Sequence, residues 1–143
     1  MSSSAVKPNA DVTQVLAGYP APARRKLLAV RKLIFKVAAQ TPGVGVLQET
    51  LKWGQVAYLT NKTKAGTTLR LGWSAKTPER YCIYVHCGTT LVSTYRALYP
   101  ELTFEGNRAI VLGVQDDTPT SALEHCITMA LTYHLAKRTK AVI

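Results

Sequence analysis

A chain of 143 residues, 47% of them apolar, has the size and composition of one globular domain with its own core. Its apolar runs fall far short of the ~20 residues that cross a bilayer, which excludes a helical membrane protein. Eighteen Lys and Arg against eight Asp and Glu give a formal charge of +10, which disfavours capture of free cations and favours an anionic partner, nucleic acid or acidic protein.

Residues 1–9 are expected to form a disordered tail and residues 10–143 a single domain. The stretch Met1 to Pro8 has no apolar core, so no secretory signal is expected. Cys82, Cys87 and Cys126 cannot all pair within one chain, and they are expected to be free thiols in a reducing cytoplasm.

In chain order, Asn9 is placed to cap a short helix over about Ala10 to Ala17, docked by Val12, Val15 and Leu16. Gly18-Tyr19-Pro20 ends it. A longer helix is predicted from about Pro22 to Gln40, with Leu27, Val30, Ile34 and Val37 as its apolar stripe. Its other positions carry Arg24, Arg25, Lys26, Arg31, Lys32 and Lys36, none with an acidic partner one turn away. They are expected to be solvated, or to form a basic face shared with Lys137, Arg138 and Lys140 of the last helix. Val44 to Thr50 fits an irregular turn or a short edge strand, and Gln55 to Leu59 a strand. Gly54 lets the chain turn sharply between them.

The chain is organised around residues 67 to 87. Leu69, Leu71 and Trp73 alternate with Thr68, Arg70 and Ser74, and Cys82, Tyr84 and His86 form a second same-face set. The polar, proline-containing link Ala75 to Arg80 predicts two neighbouring antiparallel strands at the centre of the fold. A short helix over Leu91 to Leu98 follows, then a brief strand over Leu102 to Glu105 and a last strand over Ala109 to Val114. The final helix is predicted to start at Pro119, capped by Asp117 or Thr118, and to run to about Lys137. This order predicts an α+β fold, helices segregated against a mostly antiparallel sheet.

The long basic helix, the run Thr50-Leu51-Lys52-Trp53-Gly54-Gln55-Val56-Ala57-Tyr58, the strand Tyr84-Val85-His86-Cys87-Gly88 and the turn Glu105-Gly106-Asn107-Arg108 together resemble the DUF1801 or YdhG-like family over residues 19–136. The resemblance implies an antiparallel sheet flanked on one face by N- and C-terminal helices, similar in shape to frataxin. Most members of that family have no assigned activity, and some relatives are labelled intracellular iron chaperones. The residues here disfavour iron, which prefers carboxylates: the first long helix is cationic, and Glu49 is the only acid between Asp11 and Glu79.

No metal, catalytic or cofactor motif stands out. On a strand Cys82 and His86 share a face about 13 Å apart, and Cys87 points the other way. His125 and His134 are not an i, i+4 pair. There is no G-x-S-x-G, no phosphate loop and no dinucleotide fingerprint. A Cys–His dyad formed by folding leaves an enzyme of unnamed reaction as one alternative.

Aromatic residues give the sharper candidate. Trp53, Tyr58, Arg70, Tyr84 and His86 are read as a groove that holds a small anionic or aromatic ligand through stacking and a guanidinium fork. The competing reading makes Trp53 and Trp73 core aromatics and Arg70 a solvated sheet residue. The function expected is a small cytoplasmic binding or interaction module with no cofactor and no membrane partner. Weak, sequence-indifferent nucleic-acid binding and metal delivery are the alternatives.

Overall fold

The computed structural model describes residues 8–142, with side chains through residue 138. The expected tail over residues 1–9 lies outside the described residues for its first seven positions, as does the side chain of Lys140. Within the described part are five helices and six strands. In order they are α1 (Ala10–Ala17), α2 (Ala21–Gln40), β1 (Gln48–Lys52), β2 (Gln55–Leu59), β3 (Leu69–Trp73), β4 (Arg80–Tyr84), α3 (Leu91–Leu98), β5 (Thr103–Glu105), β6 (Ala109–Gly113), α4 (Thr120–Leu131) and α5 (Tyr133–Val142).

The strands form one antiparallel sheet in the order β1-β2-β3-β4-β6-β5. β3 and β4 occupy the middle, paired Arg70 to Tyr84 and Trp73 to Tyr81. Strand parity divides the sheet. Val56, Tyr58, Leu69, Leu71, Tyr81, Ile83, Ile110 and Leu112 face the helices and build the core with Leu27, Val30, Ile34, Leu123 and Ile127. The helices lie on that one face, so the α+β expectation holds. No helix among the described residues is long and apolar enough to cross a membrane.

Local signals explain several boundaries. The Asn9 side chain accepts the Val12 N–H at 2.9 Å and caps α1. Trp53 and Gly54 form the two-residue turn between β1 and β2, with φ of 55° and 75°. β1 lies at one edge of the sheet, paired with β2.

Two helix expectations need correction. α4 has Pro119 as its cap residue, and neither Asp117 nor Thr118 caps it through a side chain. The predicted final helix is also two helices, broken at Thr132. There the Thr132 hydroxyl donates to Thr128 O at 2.7 Å, and the N–H groups of His134 and Leu135 turn to the carbonyl of Ala65. That loop packs so closely that a Cβ on Gly66 would lie 2.4 Å from the backbone of Leu131.

The basic face of α2 is largely dismantled. Arg31 is buried: its Nε and Nη2 donate to the Glu49 carboxylate at 2.6 and 3.0 Å, and its guanidinium lies 4.8 Å from the centre of the Phe35 ring. Lys36 pairs with Glu124 at 2.8 Å, and Lys26 donates to the carbonyl of Asp116. Arg24 donates to the carbonyls of Ala17 and Tyr19. None of these partners lies one turn away on α2, so sequence spacing could not show them.

Candidate functional site: the helix-free face of the sheet

The face opposite the helices is built in rows. Register and parity place Ala57, Arg70, Tyr84, Ala109 and Glu105 side by side on it, with Gln55, Gly72, Cys82 and Val111 in the next row. Ala57, Gly72, Cys82 and Ala109 are small and buried, and the longer side chains lie over them. Arg70 Nη1 donates to Gln55 Oε1 at 3.0 Å, and its guanidinium sits 5.5 Å from the centre of the Tyr84 ring. Gly72 makes room for this cover. A Cβ there would lie 2.7 Å from the Gln55 amide nitrogen and 3.1 Å from the Tyr84 ring.

Electrostatics on this face follow from partial burial and charge. Burial above all pushes the Tyr84 hydroxyl and the Cys82 thiol above their ordinary pKa values, so both stay protonated at neutral pH. Glu105 is held below the usual carboxylate range, chiefly by its hydrogen bond from Arg108 at 2.6 Å. Lys52 and Arg80 share the face with Arg70 by parity.

Of the five residues read as a groove, the structure brings Arg70 and Tyr84 together. Tyr58 is on the opposite face, because its neighbours Ala57 and Arg70 point away from the helices and it points toward them. There its hydroxyl donates to Glu49 at 2.7 Å beneath Arg31. Burial first, then Glu49, raises its pKa far above the ordinary tyrosine value. Trp53 is 91% exposed at the tip of the β1–β2 hairpin and belongs to neither the core nor the Arg70–Tyr84 pair. His86 stands exposed in the turn after β4, where its Nδ1 accepts the Gly88 N–H at 2.9 Å. Sequence reading missed Gln55, the brace of Arg70. Its signal is its closeness to Gly72, which appears once the strands are folded together.

Other concavities lie elsewhere among the described residues, two of which bear on function. The larger, about 580 Å³, lies at the far end of the sheet and gathers Glu79, Glu101, Asp116 and Asp117 around Arg80. Folding thus clusters acids that the sequence leaves dispersed, yet no group of three or more His, Cys, Asp or Glu among the described residues could hold a metal ion. The smaller lies between α1 and the sheet, walled by Tyr19, Leu51 and Trp73.

No family model matches the sequence, and no curated protein matches it. A solved structure does: a protein from the DUF1801 family, YdhG, from Bacillus subtilis. It aligns with a TM-score of 0.58 at 18% identity, over 85% of this chain and 89% of that one. The likeness at that identity is one of fold, so this chain has the fold of a DUF1801 protein, a six-stranded antiparallel sheet with its helices on one face.

Proposed function

We propose that the chain is a cytoplasmic binding module whose helix-free sheet face takes a small planar anion. The observation that supports this reading is Arg70, held over the Tyr84 ring and braced by Gln55 on a floor of small residues. Bracing spends one donor of the guanidinium and leaves the others to form a fork toward a carboxylate or phosphate. Pre-ordering the side chain also removes part of the entropy that binding would otherwise cost.

Amide chemical-shift mapping of the full chain with benzoate, adenosine monophosphate and inorganic phosphate tests it. Saturable shifts centred on Ala57, Arg70, Gly72 and Tyr84 are expected, with Arg70→Gln weakening the planar anions about tenfold, the scale of one charge-assisted hydrogen bond. Equal affinity in the variant, or shifts spread over all cationic surfaces, would remove the site.

The cations of that face favour a second reading, weak single-stranded nucleic-acid binding. Lys52, Arg70 and Arg80 share the face, and the exposed Trp53 ring follows Lys52 directly. Neutralising three phosphates gives a log–log salt slope of about −2, so affinity should fall about twentyfold between ~0.05 and ~0.2 M salt. Fluorescence anisotropy over that range measures it. Sub-micromolar, sequence-selective binding at ~0.15 M salt would instead make nucleic acid the main partner.

A further inference from the structure

We propose that the cavity between α1 and the sheet is a binding site for a small organic ammonium ion, independent of the helix-free face. Tyr19 and Trp73 form two adjoining walls, their ring centroids 5.8 Å apart and their planes inclined at 55°. Leu51 and Val15 complete an apolar interior, and Asp11 and Gln14 stand at the rim. The space is a groove open to solvent of about 390 Å³, large enough for a small headgroup.

The walls are fixed before any ligand arrives. The indole N–H of Trp73 donates to the carbonyl of Pro78 at 3.0 Å, which sets the ring plane. Arg24 donates to the carbonyl of Tyr19 at 3.2 Å and to that of Ala17 at 3.4 Å, which holds the chain at the end of α1. Arg24 is thereby turned to backbone oxygens and is not among the residues lining the cavity.

Charge decides the ligand class. In a protein of net charge +10, the one charged side chain lining this cavity is the carboxylate of Asp11. Asp11 is exposed and forms no ion pair among the described residues. Aromatic faces carry negative quadrupole potential, and a carboxylate at the mouth adds to it. An alkylammonium headgroup satisfies both while burying its methyl groups against Leu51 and Val15. A free anion meets the wrong sign at the rim, and an inorganic cation finds too few oxygen ligands in the apolar interior.

The test uses the full chain and choline as the probe. Its control is dimethylbutanol, in which carbon replaces the charged nitrogen. The two tryptophan indole N–H resonances report separately on Trp73, which lines the cavity, and on Trp53, which is 91% exposed and does not. Choline should shift the Trp73 signal saturably with Kd near ~1 mM and by more than it shifts that of Trp53, and dimethylbutanol should bind about tenfold more weakly. Asp11→Asn, at an exposed position that leaves the fold intact, should weaken choline by about threefold to tenfold and leave dimethylbutanol unchanged. Tyr19→Leu, with its spectrum still dispersed, should weaken choline and reduce the preference for the cation to the part that Asp11 and Trp73 supply. Equal binding of the two probes would reduce the site to an apolar cavity. No shift of Trp73 at ~10 mM choline would overturn the proposal.

Discussion

Replacing Glu49 by alanine should be among the most damaging single changes to this fold. The Glu49 carboxylate receives two hydrogen bonds from Arg31 and one from Tyr58, and the two charged side chains keep only 7% and 8% of their surface exposed. Burial alone would lower the pKa of Arg31, but hydrogen bonding and the charge of Glu49 outweigh it and hold the guanidinium above its ordinary value. Glu49→Ala would leave a buried cation without a counter-charge, at about 3 to 5 kcal/mol, and a buried hydroxyl without an acceptor, at about 1 to 3 kcal/mol. The two losses share one group and do not add, so about 4 kcal/mol is expected. That is a large fraction of the ~5 to 15 kcal/mol available to a domain, and corresponds to roughly 10 to 15 °C in Tm. Urea unfolding with unchanged m-value measures it. Arg31→Met combined with Glu49→Leu should recover the part of the loss that comes from the unpaired cation, because an apolar pair of similar volume can replace a buried ion pair, while the Tyr58 hydroxyl still lacks its acceptor. The reasoning fails if Glu49→Ala costs less than ~1 kcal/mol, or if the double variant is no more stable than the single one.

Gly66→Ala should cost at least ~2 kcal/mol by thermal unfolding, since the added Cβ meets the Leu131 backbone, which has no flexible end to move aside. Trp53→Asn should stabilise by about 1 kcal/mol in the same assay, because asparagine accepts the φ of 55° more readily and a ring 91% exposed leaves no cavity. Cys87 is exposed and should react with a thiol reagent at once, whereas buried Cys82 and Cys126 should react only on unfolding. Burial raises Cys126 from 9.0 to about 12, so its contribution to stability is complete below pH 9 and is lost as pH climbs toward 12. A Cys126→Ala variant should therefore show a shallower decline over that window.

Much of the architecture is legible from local chemistry. Asn9 at a helix start, Gly54 at a sharp turn before an apolar strand, and the alternation at Leu69, Leu71 and Trp73 are each legible without help from distant residues. Arg31 shows where this stops. On sequence it is one cation among six on a basic helix, and its partner is 18 positions away on a strand whose own assignment is ambiguous. The break at Thr132 has no proline or glycine to announce it, because it is imposed by the Ala65 carbonyl from another part of the chain. The candidate site divides in the same way. Arg70 and Tyr84 share a face by parity within one hairpin. Tyr58 fell to the wrong side because the register between β2 and β3 depends on a polar loop, and Tyr19 and Asp11 reach Trp73 only through the docking of α1.

The bonds from His134 and Leu135 to Ala65 tie the start of α5 to the loop between β2 and β3. Arg138 repeats the tie by donating to the carbonyl of Lys64 at 2.8 Å. These contacts span about half the chain, so they are slow to form relative to the β3–β4 hairpin and are lost together when the loop lifts. α5 and the loop should therefore open as one cooperative unit. Hydrogen exchange at His134 and Leu135 should track exchange at Lys64, whose own amide bonds within the loop to Thr60, and not that of the central strands.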